Sequence, residues 1–208
     1  CNIMDEDSVL AAFDKARAAQ GQERAVVHCA MVAGGGKTIS WDKEKVAYKR
    51  APTDSFALGM EGIATASYRV ASIAALGMAT SEPLDDDGQR GVIILTSSAA
   101  SQDGQVGQVC YGSGKGAVNS MVLPMARDLM DLGIRVNAIL PGIFETPPML
   151  RVKERAPAIF EGLGKAVPFP KRLGHPHEFA SMAMEMIRNG YINAQLIRLD
   201  GAIRMPPK

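Results

Sequence analysis

Short apolar runs alternate along the chain with longer stretches in which apolar residues recur every three or four positions. The runs are rich in Val, Ile and Leu and cover residues 24–30, 91–97, 134–140 and 194–200. Continuous apolar runs of this length are typical of strands buried on both faces of a parallel sheet. Helical patterns between them cover residues 5–19, 55–79, 111–132 and 176–189. This alternation predicts an α/β doubly wound domain with a parallel sheet.

The third helical stretch shows the clearest period. Its apolar residues recur at i, i+3 and i+4 spacing, which indicates a buried stripe; they are Val118, Met121, Val122, Met125, Leu129 and Leu132. Gly133 follows, where a left-handed C-cap is expected. Residues 143–175 form a long excursion interrupted by Pro and Gly, and we expect a lid or substrate wall there.

Composition and charge narrow the class of protein. With 208 residues, 47% of them apolar, the chain is long enough for a substantial core, and we expect residues 1–208 to form a single domain. The formal net charge of +1 gives no general attraction to nucleic acid or an anionic membrane. No apolar run approaches the roughly 20 residues that a membrane-spanning helix needs. Cys1, Cys29 and Cys110 favour reduced thiols, and we expect a cytoplasmic protein, with the mitochondrial matrix as the alternative.

The segment 108–120, QVCYGSGKGAVNS, offers a choice between a phosphate-binding loop and a catalytic tyrosine. A phosphate loop requires Gly-x-x-x-x-Gly-Lys-Ser/Thr, and around Lys115 the first and last positions both fail. A second near-match ends at Thr38, but Met31 occupies its leading glycine position. We therefore expect the Gly-rich stretch 34–37 to be a flexible surface loop.

Tyr111 and Lys115 are four residues apart, so a helix places both side chains on one face. An ammonium near a phenol favours the phenolate, which can then exchange a proton with an alcohol. The pair alone is a weak signal, because any helix can contain it by chance. The position of the pair is a more specific signal, since a buried apolar run that ends in a serine cluster lies shortly before it. Catalytic groups in open α/β sheets gather at the carboxyl ends of strands.

With Ser98 included, these residues resemble the short-chain dehydrogenase/reductase family in order and spacing. The resemblance implies a Rossmann-like fold and an NAD(P)-dependent oxidoreductase that acts on CH–OH groups. It implies that Ser98 holds the substrate oxygen, that Tyr111 is the general acid/base and that Lys115 binds the cofactor ribose. It also gives an acyl-CoA or steroid-like molecule as substrate and no resident metal.

The stretches GQRGVII, GQVGQ, ARDL, GIRV, VPFP, RLG and IRLDGAIRMPPK resemble the type-2 3-hydroxyacyl-CoA dehydrogenases in particular. The resemblance implies fatty acid metabolism, a homotetramer and NAD as cofactor, with NADP as the alternative. The implied cofactor-binding residues are Asn2, Ile3, Cys29, Tyr111, Lys115, Pro141, Gly142, Phe144 and Thr146. The implied substrate-binding residues are Ser98, Gln105 and Tyr111.

Three departures from the family bear on activity. The family's first three strands, roughly 50–60 residues of the dinucleotide-binding half, have no counterpart, and we expect a fragment or a sequence without its true beginning. Met31 occupies the position of a family glycine that leaves room for the cofactor, and Ile63 that of an asparagine that steadies a proton-relay water. These departures leave an alternative function open, a pseudoenzyme that serves as a binding or scaffold subunit.

The histidines have structural interpretations. We expect His28 to be buried and hydrogen-bonded. A nucleophile pair with Cys29 is the alternative, although adjacent strand residues point to opposite faces. His175 and His177 flank Pro176, which predicts the start of a helix. A metal site is disfavoured there, because no third ligand is evident.

Overall fold

The structure, a computed structural model, describes residues 1–207. The helices are α1 (Glu6–Gln20), α2 (Thr53–Met60), α3 (Ala66–Ala79), α4 (Val109–Asp128), α5 (Pro147–Arg155), α6 (Pro157–Ala166) and α7 (Pro176–Arg188). The strands are β1 (Ala25–His28), β2 (Ile39–Asp42), β3 (Ala47–Arg50), β4 (Gly91–Thr96), β5 (Ile134–Pro141) and β6 (Leu196–Leu199). A π-helical turn, Glu61–Thr65, joins α2 to α3, and 3₁₀ turns lie at Ala99–Ser101 and Met130–Leu132.

Four strands form a parallel sheet in the order β1-β4-β5-β6. Helices α3 and α4 cover one face of this sheet, and α7 covers the other. The two central strands, β4 and β5, are therefore almost completely buried, which explains why their sequences are continuously apolar. This arrangement confirms the predicted α/β doubly wound fold.

Successive residues of β4 contribute to two different cores. Ile93 and Leu95 pack among the residues of α3 and α4, whereas Val92 and Ile94 pack against α7. A strand alternates its side chains between the two faces of a sheet, so each apolar residue of the run has a partner layer. The position of the strand in the middle of the sheet follows directly from its composition.

Helix α4 ends at Asp128, earlier than expected, and the 3₁₀ turn Met130–Leu132 leads to Gly133. Gly133 adopts φ 64°, the left-handed region, after the 3₁₀ turn that follows the helix. A Cβ at this position would collide with the backbone carbonyl of Gly88, so glycine is required for both conformation and space. The chain can then turn directly into β5.

Two features of the fold were not predicted. Strands β2 and β3 form an antiparallel hairpin, in which the rings of Trp41 and Tyr48 meet edge to face with centroids 5.1 Å apart. Helices α5 and α6 lie within the predicted excursion, and each begins with a proline in its first turn. The Gly-rich stretch before the hairpin is irregular, as expected, and Gly36 N–H donates to the carbonyl of Gly107 at 3.1 Å.

Among the helices of residues 1–207, none is long and apolar enough to cross a membrane.

Ile63 lies in the π-helical turn and is only 1% exposed. Its side chain packs closely on Gly114 of α4, so it connects the bend between α2 and α3 to the helix that holds the tyrosine. The structure therefore gives Ile63 a place in the core.

We predict that Ile63→Ala lowers the free energy of unfolding by about 2–5 kcal/mol, because it leaves a cavity between these helices. Urea unfolding followed by circular dichroism measures the loss. Ile159→Ala is the matched control, since Ile159 lies on α6 and is 60% exposed, and it should change stability by about 0.5 kcal/mol or less. Equal losses for the two variants would contradict the assignment of Ile63 to the core.

Candidate active site

A largely apolar cavity of about 600 Å³ lies at the carboxyl ends of β4 and β5, beside the start of α4. The structure brings seven of the predicted site residues to its wall: Cys29, Ser98, Tyr111, Pro141, Gly142, Phe144 and Thr146. Carboxyl ends of neighbouring parallel strands share one edge of the sheet, which is why residues distant in sequence meet here. Pro148 and Met149 add part of the wall, so the predicted excursion contributes to it.

Ser98 lies just beyond the end of β4, where the strand gives way to a 3₁₀ turn. Its Oγ accepts a hydrogen bond from the backbone N–H of Ala100 at 3.1 Å, and the residue is 8% exposed. A hydroxyl can donate while it accepts, so Ser98 can still donate its proton to an oxygen in the cavity. The turn thus fixes the hydroxyl and leaves its donor function for a ligand.

Tyr111 and Lys115 occupy one face of α4, as their spacing predicts. Lys115 Nζ lies 5.9 Å from the centroid of the Tyr111 ring. The lysine is 4% exposed and donates to the carbonyl of Thr96 at 2.6 Å. In return, Ser97 Oγ donates to the carbonyl of Lys115 at 2.9 Å, so two bonds hold α4 against the end of β4.

Burial lowers the pKa of Lys115 to about 8, and the charge of the nearby Cys29 partly opposes this shift. The amine is therefore still largely protonated at neutral pH. An ammonium has three N–H donors, and within the described residues the Thr96 carbonyl is its hydrogen-bond acceptor. The remaining donors fit the hydroxyl pair of a ribose, so this residue suits the nucleoside end of a dinucleotide.

The turn after β5 closes another side of the cavity. A Cβ on Gly142 would lie 2.8 Å from Cβ of Asp200, so only glycine lets the turn approach the end of β6. The Phe144 ring packs over Gly174 and meets Phe179 edge to face with centroids 6.2 Å apart. These contacts give the turn a fixed shape.

Glu145 joins the same turn to the start of α7. Its Oε2 lies 3.1 Å from His175 Nδ1, and its backbone N–H donates to the carbonyl of Gly174 at 2.8 Å. His177 stacks on His175 with ring centroids 5.5 Å apart. Residues 1–207 contain no group of three His, Cys, Asp or Glu side chains placed to hold a metal ion.

Four of the predicted site residues lie outside the cavity wall: Asn2, Ile3, Gln105 and Lys115. Asn2 and Ile3 precede α1, where Arg69 Nη1 of α3 donates to the carbonyl of Ile3 at 2.7 Å. Gln105 donates through Nε2 to the carbonyl of Pro206 at 2.9 Å, and its side chain is therefore engaged elsewhere.

Several residues of the cavity wall were missed by the sequence analysis, among them Thr96, Gln108, Phe179 and Met205. Gln108 lies three positions before Tyr111, a spacing that places side chains on one helix face and could have indicated it. Met205 belongs to the last residues of the described chain, and no local pattern points to it.

His28 is buried, as expected, but its Nε2 has no hydrogen-bond partner among the described residues. Burial, with a smaller contribution from the Lys115 charge, lowers the pKa of His28 to about 4. Cys29 is exposed, and its sulfur accepts from Thr96 Oγ1 at 3.5 Å. The expected hydrogen bond of His28 is therefore wrong for Nε2. Met31 is 43% exposed in the cavity wall.

The chain is similar to known proteins over nearly its whole length. A family model described as enoyl-(acyl carrier protein) reductase matches residues 1–202. The chain is 39% identical over 206 residues to 3-hydroxyacyl-CoA dehydrogenase type-2 of Mus musculus, covering 99% of this chain and 76% of that protein. It is 38% identical to the protein of that name from Homo sapiens, with the same coverage.

Two solved structures have folds similar to that of this chain. That of 3-hydroxyacyl-CoA dehydrogenase type-2 from Mycobacterium avium superposes with a TM-score of 0.88 at 37% identity, covering 100% of this chain and 76% of that chain. A 7 alpha-hydroxysteroid dehydrogenase complexed with NADH and 7-oxo glycochenodeoxycholic acid gives a TM-score of 0.81 at 24% identity, covering 99% and 73%. The similarity to this second structure shows that the two proteins share a fold.

We predict that His28 makes the protein acid-sensitive. Because its folded pKa is about 4 and its unfolded pKa about 6.5, only the unfolded chain binds a proton between these values. Stability is therefore lost as the pH falls through this window. As the pH falls from about 6.5 to about 4, the free energy of unfolding of the wild type should decrease by roughly 3 kcal/mol more than that of His28→Gln.

Urea unfolding at a series of pH values measures this difference. His177→Gln, at an exposed histidine, is the control and should keep the wild-type dependence. Identical acid sensitivity in wild type and His28→Gln would show that His28 is not held neutral by burial.

Proposed function

The chain belongs to the short-chain dehydrogenase/reductase family, and on that premise we propose that it interconverts a secondary alcohol and a ketone. The observation that carries the proposal is the placement of Ser98 and Tyr111 on one cavity with the buried Lys115 ammonium behind the tyrosine. These three groups provide a donor for the reacting oxygen, a proton carrier and a cation beside the proton carrier. If the Tyr–Lys pair had arisen by chance on a helix surface, its lysine would be exposed to solvent, whereas Lys115 is 4% exposed.

A nicotinamide dinucleotide, when bound, supplies the hydride exchange with the substrate carbon. Lys115 would hold its ribose through the N–H groups not used by Thr96. The Pro141–Gly142 turn and Thr146 would border the nicotinamide, and Cys29 would lie on the adenine side. We propose NAD as the cofactor, with NADP as the alternative.

The chain's own residues handle the proton. In the oxidation direction the Tyr111 phenolate takes the proton of the substrate hydroxyl, and in reduction the phenol returns it to the oxygen. Ser98 donates a hydrogen bond to that oxygen, where negative charge develops in the transition state. The Lys115 ammonium lies behind the tyrosine, 5.9 Å from the centroid of its ring.

We further propose that the substrate is a 3-hydroxyacyl-CoA or its 3-oxo form. Identity to relatives named 3-hydroxyacyl-CoA dehydrogenase type-2 supports this class. The apolar wall also suits an acyl chain, because Phe144, Met149 and Phe179 border the space beside Ser98 and Tyr111. A hydroxysteroid would meet the same wall, and a substrate panel distinguishes the two.

We also propose a homotetramer in the cytoplasm, with the mitochondrial matrix as the alternative compartment. The outer surfaces of α3 and α4 expose Tyr68, Leu76 and Leu123, at 55%, 71% and 45%. Apolar side chains gathered on one helical surface favour contact with another subunit. Light scattering of the protein in solution measures the assembly.

We predict that Tyr111→Phe lowers kcat for reduction of acetoacetyl-CoA by NADH by on the order of 10²–10⁴-fold, because the proton carrier is lost. Binding of NADH, followed by its fluorescence, should persist, since Lys115 remains. The rate is measured by loss of NADH absorbance, with NADPH assayed in parallel. Tyr191→Phe is the control and should behave as wild type, because Tyr191 is fully exposed.

Undiminished turnover in Tyr111→Phe would overturn the assignment of the tyrosine. If wild type neither binds nor oxidises NADH or NADPH, the dehydrogenase itself is contradicted. That result would favour the scaffold subunit as the function of this chain.

A further inference from the structure

The segment 203–207 closes one side of the cavity that contains Ser98 and Tyr111. Met205, which is half-buried, belongs to the wall together with these two residues. We propose that Met205 determines which acyl chains the cavity accepts, and that Gln105 acts as a positioning residue that holds the segment in place. The inference rests on the proposed function, since it names a specificity determinant of that same site.

One end of the segment is fixed to the end of β6. Ile203 is 2% exposed, and its backbone N–H donates to the carbonyl of Asp200 at 3.1 Å. Its own carbonyl accepts from Arg198 Nη2 at 3.0 Å. The guanidinium of Arg198 also pairs with Asp103 at 2.6 Å and with Asp200 at 2.6 Å. Hence the start of the segment cannot move without breaking a largely buried ionic network.

The other end is fixed to the loop before α4. The carbonyl of Pro207 accepts from the backbone N–H of Val106 at 3.0 Å, and the carbonyl of Pro206 accepts from Gln105 Nε2 at 2.9 Å. Arg198, chiefly, and also the backbone N–H of Met205 lower the pKa of Asp103. Met205 therefore lies between two anchored ends, and its backbone position in the wall is set on both sides.

The chemistry of methionine fits the role. Its unbranched, polarisable side chain adapts to irregular apolar ligands, and Phe144 and Phe179 elsewhere in the wall are also apolar. Ser98 and Tyr111 fix the reacting oxygen, so the remainder of the substrate must extend along the other walls. The length and bulk of the side chain at position 205 then limit the space for the acyl chain.

The hydrogen bond of Gln105 supports this assignment. The family resemblance implies that it contacts the substrate, yet its amide donates to the carbonyl of Pro206 instead. A residue that holds the segment affects substrates according to their chain length. A residue that touches the reacting group would affect all chain lengths alike. The two roles therefore give different kinetic signatures.

The test measures kcat/KM for a series of straight-chain 3-oxoacyl-CoA substrates, from acetoacetyl-CoA to 3-oxodecanoyl-CoA, with NADH. In Met205→Ala the ratio of long-chain to short-chain kcat/KM should rise by about 10-fold, and in Met205→Trp it should fall by a similar factor. Gln105→Ala should shift the ratio in the direction of Met205→Ala, mainly through KM. Met130→Ala, at a methionine that is 65% exposed, is the matched control and should keep the wild-type profile.

A chain-length profile that is the same in wild type, Met205→Ala and Met205→Trp would overturn the role of Met205 while the proposed function stands. A uniform loss over all chain lengths in Gln105→Ala would overturn its role as a positioning residue. Absence of turnover in wild type with every substrate would instead contradict the proposed function, and this inference with it.

Discussion

The buried ammonium of Lys115 is the constraint on which the arrangement of the site depends. Its bond to the Thr96 carbonyl and the bond from Ser97 to its own carbonyl join α4 to the end of β4 in both directions. Because Tyr111 lies one helical turn before Lys115, the same two bonds place the phenol at the cavity. Burial of this cation is costly, and the lowered pKa of about 8 expresses that cost. The same burial fixes a cation 5.9 Å from the centroid of the Tyr111 ring.

The sheet and the main helices could be predicted because their signals are local. Runs such as 91–97 are apolar throughout, and the stripe on 111–132 recurs with helical period. The β2–β3 hairpin lacked such a signal, since it is held by the cross-strand contact of Trp41 and Tyr48. Helices α5 and α6 were not predicted, because the prolines at their first turns were interpreted as breaks between elements.

The residues of the site also differ in how well the sequence predicts them. Ser98 and Tyr111 could be predicted from the sequence, because a strand end and a helical spacing indicate their region and the family resemblance identifies the residues. Met205 was not, because it reaches the cavity through the pairing of Arg198 with Asp103, residues far apart in the chain. Likewise, the burial of His28 followed from its strand, whereas the missing partner of its Nε2 depends on the three-dimensional arrangement. Long-range polar contacts are the part of this structure that no local pattern contains.

The most direct test of this account is the titration of Lys115 itself. Heteronuclear NMR of the protein with labelled lysine side chains, assigned by comparison with Lys115→Met, gives the pKa of that amine. The account predicts a value near 8, as burial of the amine against the end of β4 requires. A value near the ordinary lysine value of about 10.4 would mean that the ammonium is solvated, and it would contradict the central role given to its burial.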